Sequence, residues 1–461
     1  VTKHPAAGAS AFFLAASLLT SLALALVTPP FQAADEAAHF FRAYRVSEGS
    51  LDLLPRAGTD RATIEVPEGL VRAGSVLYQA PPFRAERKIS VAELRVASQV
   101  AIGETPVTVF APNTLMYTFV PYAPQAFGIA LARSLGGSAL GVLYAGRIAN
   151  LLVASIVIAF AVARAPAYRW LIAALALTPM AVSLRGSLSP DAIVLAAATL
   201  LTAEIAALAW GRTAPIGPSP EPPRRRLHFL LVAAGLLCAA KFAYLPLCLL
   251  ALLVPPSRWP LRRSAALAAY AATVVAAASL AVVAARSVSA IRFDARVDPA
   301  AQVAHALSHP FASALVILRD AAQHAPRYAA QLVGKLGWLD VPLPVALIVS
   351  YLLLLLALLA IDGSPGVVVR RWQRWTVAGV TIGGAAAVIA SQYVMWTPVG
   401  ASFVEGVQGR YFLPLAVAAI WCCHGSRWAR EERIKTVMVV VSTAVSSVVA
   451  AGALAAHYYR W

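Results

Sequence analysis

Eleven apolar runs recur along the chain, near residues 11–28, 141–163, 168–184, 190–210, 227–240, 243–254, 264–285, 343–361, 376–394, 411–425 and 435–456. Most approach the roughly 17–25 residues that a helix needs to cross a bilayer. The runs are continuous rather than alternating, which selects helices over a barrel. In hydrocarbon every backbone polar group must be satisfied inside the protein, so no other feature restricts the fold as much. Only 13% of the residues are charged and 60% are hydrophobic, against about 25% charged in soluble domains. The expectation is an all-α polytopic membrane protein with about eleven transmembrane helices. The first run follows only Lys3 and His4 and exceeds the roughly 7–15 residues of a signal-peptide core, so an uncleaved first span is expected.

The net charge of +17 would suggest nucleic acid in a soluble protein. In a membrane protein the positive-inside rule explains it better, and the loops test it. With the N-terminus inside, and with 227–240 and 243–254 counted as two short passes broken near Lys241, every compact basic cluster falls on one side. These clusters are Arg164 and Arg169; Arg212 and Arg224 to Arg226; Arg258, Arg262 and Arg263; Arg370, Arg371 and Arg374; and Arg427, Arg430, Arg433 and Lys435. Counting one pass instead puts the clusters from Arg258 onward outside. The sequence therefore reads as a multi-pass protein of the bacterial inner (cytoplasmic) membrane, with its N-terminus cytoplasmic, its C-terminus outside and no nucleic-acid partner. Pro215, Pro218, Pro220, Pro222 and Pro223 mark an irregular cytoplasmic linker.

Five segments follow. Residues 1–28 hold the N-terminus and first span, 29–140 a first extracytoplasmic loop, and 141–285 spans two to seven. Residues 286–342 form a second extracytoplasmic loop and 343–461 hold spans eight to eleven. Both long loops carry apolar stretches expected to be interfacial helices. In the first, residues 113–135 are interrupted by Pro121 and Pro124, with Tyr117 and Tyr122 expected at headgroup depth. Alternation over 62–66 suggests short strands. The second contains Asp294, His305 and His309 and an apolar stretch at 311–318. Its histidines lack the glutamate of an HExxH site, and Trp338 reads as an interfacial anchor. Cys238, Cys248, Cys422 and Cys423 lie in apolar runs without metal-ligand spacing and read as small buried residues. No repeat supports an inverted-repeat transporter, and no GxGxxG in a strand–helix context supports a nucleotide-sugar site.

The polar residues at span ends carry the chemistry. Pro29-Pro30-Phe31-Gln32-Ala33-Ala34-Asp35-Glu36-Ala37-Ala38-His39-Phe40 follows the first run directly. Asp35 and His39 are four apart and share a helical face, with Arg42 on roughly the same stripe. Asp191, Lys241, Asp340 and Arg410 also fall at outer span ends. A lysine within LLVAAGLLCAAKFAYLPLCLLALL costs roughly 2.5–3.5 kcal/mol unless it reaches an anion or water. Glycosyl transfer from a lipid-phosphate sugar suits this set. A carboxylate takes the proton of the attacking hydroxyl, and cations stabilise the charge developing on the leaving phosphate. Asp35, Glu36 and Asp191 are the candidate catalytic residues. His39, Arg42, Lys241, Gln408, Arg410 and Tyr411 are the candidates for substrate and phosphate. The plainer readings are helix capping by Asp35 or Asp191, snorkelling by Lys241, and an Arg410–Glu405 bridge. No ligand spacing demands a metal, although Asp35, Glu36, His39 and Asp191 with waters leave a divalent ion open.

PPFQAADEAAHFFRAY, LYAGRIANLL, LTPMAVSLRGSLSPDA, the span-end lysine, GWLDVPLP and VQGRYFLPL occur in this order. In this order they resemble a bacterial multispanning family catalogued as domain of unknown function 2142, over about residues 11–425. That family is itself similar to the C-type glycosyltransferase (GT-C) superfold. The resemblance implies a first-loop acid, matched by Asp35 with Glu36 adjacent, and a second acid in a later outer loop, matched by Asp191. In the lipid A aminoarabinose-transferase branch it implies a lysine after the fifth span, matched by Lys241. The YxPxxYxP-like pattern of its interfacial helices is matched loosely by residues 117–124. The large soluble C-terminal domain and the WWDYG-type signature are absent.

The expected activity is an inverting glycosyltransferase. Its donor is a polyprenyl-phosphate sugar, its acceptor an extracytoplasmic envelope glycan or lipid, and its surroundings membrane lipids. A transporter or flippase of lipid-linked glycans is the alternative; the scarcity of mid-span ionisable residues, of which Glu204 is the clearest, argues against it. A non-catalytic envelope assembly factor is the third reading.

Overall fold

Among the described residues six helices are long and apolar enough to cross a membrane: Gly8–Val27, Ala139–Arg164, Asp191–Trp210, Arg263–Ala285, Arg371–Met395 and Glu432–Tyr458. The helices Pro299–Ser308 and Pro310–Gly334, bent by 109° at their junction, make a seventh if counted as one span. These come from a computed structural model that describes residues 5–51, 63–78, 86–115, 117–211, 223–259, 262–288, 296–423 and 430–460. Ala62, Arg212, Pro215, Pro218, Pro220, Pro222, Asp294 and Arg427, named above, lie outside the described residues.

The protein is thus all-α and multi-pass, but the eleven apolar runs do not become eleven long helices. Proline accounts for much of the difference, because it lacks the N–H that continues a helix. The run at 168–184 divides into Arg169–Ala176 and Pro179–Arg185, and the hydroxyl of Thr178 caps the second piece by accepting from the Ala181 N–H at 3.3 Å. The run at 243–254 is a 3₁₀ helix, Phe242–Leu253, with Pro246 inside it. The run at 411–425 is assembled from Gly409–Phe412, Leu413–Ala419 and Ile420–Cys423. Val345–Ile361 is a single helix of 17 residues.

Asp191–Trp210 is hydrophobic all round, and such a helix belongs at the centre of a bundle. It is almost wholly buried, packed by Ala139–Arg164, Pro223–Ala240 and Leu413–Ala419. Charge is sorted along the bundle. The described basic residues at 164, 258, 262, 263, 370, 371, 374, 433 and 435 stand at one end of their helices. At that end Arg164 Nη2 donates to Glu204 Oε2 at 2.9 Å, and Lys435 Nζ lies 3.2 Å from Asp362 Oδ1. The mid-span acid Glu204 is therefore paired with a cation.

The opposite end carries the outer-loop structure. Thr63–Pro67 and Pro106–Phe110 pair antiparallel, with Glu65 opposite Thr108. A separate apolar core of Phe31, Phe40, Tyr44, Ile64, Leu70 and Leu77 sits beneath them. Residues 113–135 turn through Val120–Tyr122 into the helix Ala123–Ser134, which lies against Ala139–Arg164. The approach is close enough that a Cβ on Gly128 would strike the Ala145 carbonyl, so this position needs glycine. Tyr122 is fully buried rather than at a lipid surface. Glu432–Tyr458 ends here too: the Tyr458 hydroxyl donates to the Gln32 carbonyl at 3.2 Å. Cys238 and Cys248 are buried as expected, whereas Cys423 is exposed.

Candidate functional site

The segment after the first helix has an unusual backbone. Phe31 and Asp35 both adopt positive φ, 68° and 59°. A non-glycine residue pays about 1–2 kcal/mol for that region, and keeps it only where its surroundings over-determine it. Here they do. The Phe31 ring is buried with its centroid 6.0 Å from that of Phe40. The Phe31 N–H donates to Glu36 Oε2 at 2.9 Å, and the Phe31 carbonyl accepts from Trp338 Nε1 at 3.1 Å.

The result separates two adjacent carboxylates. Glu36 points inward, with 1% of its side chain exposed. Arg147 meets it twice, Nε to Oε1 at 2.8 Å and Nη2 to Oε2 at 2.5 Å. The same guanidinium donates to the carbonyls of Ala25, Thr28 and Pro29 at 2.6, 2.8 and 3.0 Å, satisfying orphan acceptors at the end of the first helix. Glu36 also accepts from the Leu188 N–H at 3.2 Å. Glu36 is a strut between three segments and does not line the cavity described next. Asp35 turns the other way. It makes no capping bond to the helix Glu36–Ser47, and 34% of its side chain is exposed.

Asp35, Asp191, Lys241 and Arg410 line one cavity, together with His39 and Tyr411. Lys241 Nζ lies 2.7 Å from Asp191 Oδ1, and Arg410 Nε lies 3.3 Å from Asp191 Oδ2. Arg410 Nη2 is 3.6 Å from Asp35 Oδ2. The four charges form one chain, Asp35–Arg410–Asp191–Lys241, and sum to zero. No ion pair joins Arg410 to Glu405. Asp191 opens its helix, yet its carboxylate is used for the two cations and not as a cap. Lys241 does not snorkel: its ammonium is held by Asp191 and sits 4.4 Å from the Tyr411 ring centroid and 5.3 Å from that of Tyr117. Arg42 is fully buried, and neither it nor Gln408 lines the cavity.

Sequence reasoning missed several neighbours. Asn113 Nδ2 donates to Asp35 Oδ1 at 3.0 Å, and Tyr117, Tyr244, Gln392 and Trp396 complete the polar and aromatic lining. None is charged, so no burial cost flagged them. Tyr117, read as a headgroup anchor, faces the Lys241 cation instead. Trp338, read as a lipid anchor, is tied to the Phe31 carbonyl. The lining also includes apolar residues, Phe242, Ala281, Ala285, Val388 and Met395, and the polar Ser391. Among the described residues no group of three or more His, Cys, Asp or Glu side chains could hold a metal ion.

His39 lines the cavity and is buried, its Nδ1 2.9 Å from the Tyr122 hydroxyl. Burial lowers its pKa to about 4, against the opposing pull of Asp35 and Asp191. His39 is therefore neutral at pH 7. A depressed folded-state value means that the unfolded chain binds more protons between pH 6.5 and 4. The stability from a neutral His39 is complete above pH 6.5 and falls as the pH drops toward 4, by on the order of 3 kcal/mol. Thermal unfolding of the wild type should fall through that window, and His39→Gln should flatten the fall. Equal slopes in both proteins would remove His39 as the cause.

The fold and site define a class: a multi-pass α-helical membrane protein with a cavity at one end of the bundle, lined by both charged and apolar residues. The chain belongs to the family described as predicted membrane protein (DUF2142), which it matches over residues 18–419. No curated protein and no solved structure matches it.

Proposed function

We propose that the protein is an inverting glycosyltransferase of GT-C type in the bacterial inner membrane, crossing it about eleven times with its N-terminus in the cytoplasm. It takes a sugar from a polyprenyl-phosphate donor and adds it to an extracytoplasmic envelope acceptor. The compact basic clusters at the helix ends away from the cavity support this orientation.

One observation carries the reading. An accessible carboxylate and two cations share a cavity that Phe242, Ala281, Ala285, Val388 and Met395 also line, and a lipid phosphate likewise joins a charged group to an apolar chain. Asp35 takes the proton of the acceptor hydroxyl. The acceptor oxygen bonds to the anomeric carbon from the face opposite the phosphate, and the C–O bond to phosphate breaks with its electrons going to the phosphate oxygen. Lys241 and Arg410 stabilise that charge. Each has donors left over from Asp191, since an ammonium has three and a guanidinium five. Asp191 holds both cations in place, and Asn113 fixes the Asp35 carboxylate.

The test is binding of undecaprenyl phosphate to the purified protein in nanodiscs. A hydrogen bond to a charged group contributes about 1.5–3 kcal/mol, so Lys241→Met is expected to weaken binding by about 10- to 150-fold. Lys241→Arg should keep most of it. Unchanged affinity in Lys241→Met would remove the phosphate from this cavity.

A further inference from the structure

A second cavity of about 450 Å³ adjoins the first and shares Asp35, Asn113 and Trp396 with it. Its size falls in the roughly 300–1,000 Å³ range of ligand sites. The two cavities differ in what builds them. The first takes Ala281, Ala285, Val388 and Gln392 from helices long enough to span a membrane. The second takes nothing from those helices. Its walls are Phe31 and the helices Glu36–Ser47 and Glu68–Tyr78, then Phe110 at a strand end, Trp338, and Trp396 just beyond Met395.

Its chemistry differs as well. Among the described residues Asp35 is the one ionisable group that lines it, so it holds no cation for a phosphate. Five aromatic residues, Phe31, Phe41, Phe110, Trp338 and Trp396, line it instead. The face of an aromatic ring is the negative side of its quadrupole, and the axial C–H bonds of a sugar ring present the complementary slightly positive surface. Two of its polar residues, Asp35 and Asn113, are shared with the first cavity, and the third, Ser75, is not. A neutral sugar stacked on the aromatics would therefore present a hydroxyl to Asp35.

We propose that this second cavity is the acceptor subsite and that the acceptor is a neutral sugar ring of an envelope glycan, arriving from the aqueous side and not from the bilayer. This rests on the glycosyl-transfer reading above and adds the class of acceptor to it. Asp35 stands where the two substrates meet: the hydroxyl comes from one cavity and the anomeric carbon from the other.

Ser75 gives the test. It lines the second cavity and not the first, it is exposed, and its hydroxyl bonds only back to the Val71 carbonyl of its own helix. Ser75→Trp should fill the cavity. Sugar composition is compared in the polysaccharide and lipid fractions of cells carrying wild type, Asp35→Asn or Ser75→Trp. The expected result is that both variants lose the same sugar from the polysaccharide fraction, while purified Ser75→Trp binds undecaprenyl phosphate as the wild type does. Where Ser75→Trp does not accumulate, Ser75→Cys is reacted in whole cells with a bulky, membrane-impermeant maleimide, and the loss should follow labelling. Wild-type polysaccharide despite a filled cavity would overturn the proposal. So would finding the Asp35-dependent sugar in the lipid fraction. If Asp35→Asn changes neither fraction, the glycosyl-transfer reading itself fails and takes this one with it.

Discussion

Asp35→Asn is expected to lower glycosyl transfer by about 10²–10⁴-fold, the usual contribution of a positioned general base. That corresponds to about 2.7–5.5 kcal/mol of barrier. The substitution is nearly isosteric. An asparagine oxygen can still accept from Asn113 Nδ2, which lies 3.0 Å from the carboxylate, but it cannot take the acceptor proton. The fold should be indifferent. The pair to Arg410 is 3.6 Å long with a third of the Asp35 side chain exposed, and partly solvated pairs of this kind contribute little. Arg410 keeps its contact with Asp191. The loss should therefore appear in kcat rather than in donor affinity, protein level or thermal unfolding. An unchanged envelope glycan in Asp35→Asn cells at normal protein level would count decisively against the enzyme reading.

The gathering of Asp35, Asp191, Lys241 and Arg410 could be anticipated because each sits at the end of an apolar run. Run ends have a defined depth, and the basic loops fix which ends share a side. A helix that needs hydrocarbon around it thus reports the height of its terminal residue, even without contacts. Lateral position is a different matter. Arg42 shares the helical stripe of His39, yet it is fully buried and does not line the cavity. The choice between Asp35 and Glu36 depended on two left-handed residues, Phe31 and Asp35, in a stretch with no glycine to announce them. Arg147 lay inside an apolar run, and its role appears only when the carbonyls of Ala25, Thr28 and Pro29 are brought to it. Helix length was less legible than depth: apolarity is blind to Pro179, Pro246 and Pro414, each of which sits in a run that the folded chain divides or tightens.

Glu36→Ala is expected to destabilise the protein by about 3–5 kcal/mol, the cost of removing one partner from a buried pair. The magnitude comes from what is left behind. Arg147 would keep its charge at 0% exposure with no carboxylate near it, and the N–H groups of Phe31 and Leu188 would lose their acceptor. Replacing both partners with apolar residues is often harmless elsewhere, but not here. Arg147 also satisfies three main-chain carbonyls, and each unsatisfied polar group costs about 1–3 kcal/mol. Glu36→Leu with Arg147→Met should therefore be no better than the single change. Glu36→Gln should fall between, since one amide oxygen can still accept. Abundance in membranes and thermal unfolding in detergent read this directly, without any substrate. Asp35→Asn should behave in the opposite way: of two neighbouring carboxylates, loss of one is expected to stop the proposed reaction in a folded protein, and loss of the other to remove the fold that positions it. A Glu36→Ala protein that accumulates normally and melts like the wild type while losing activity would exchange the two roles.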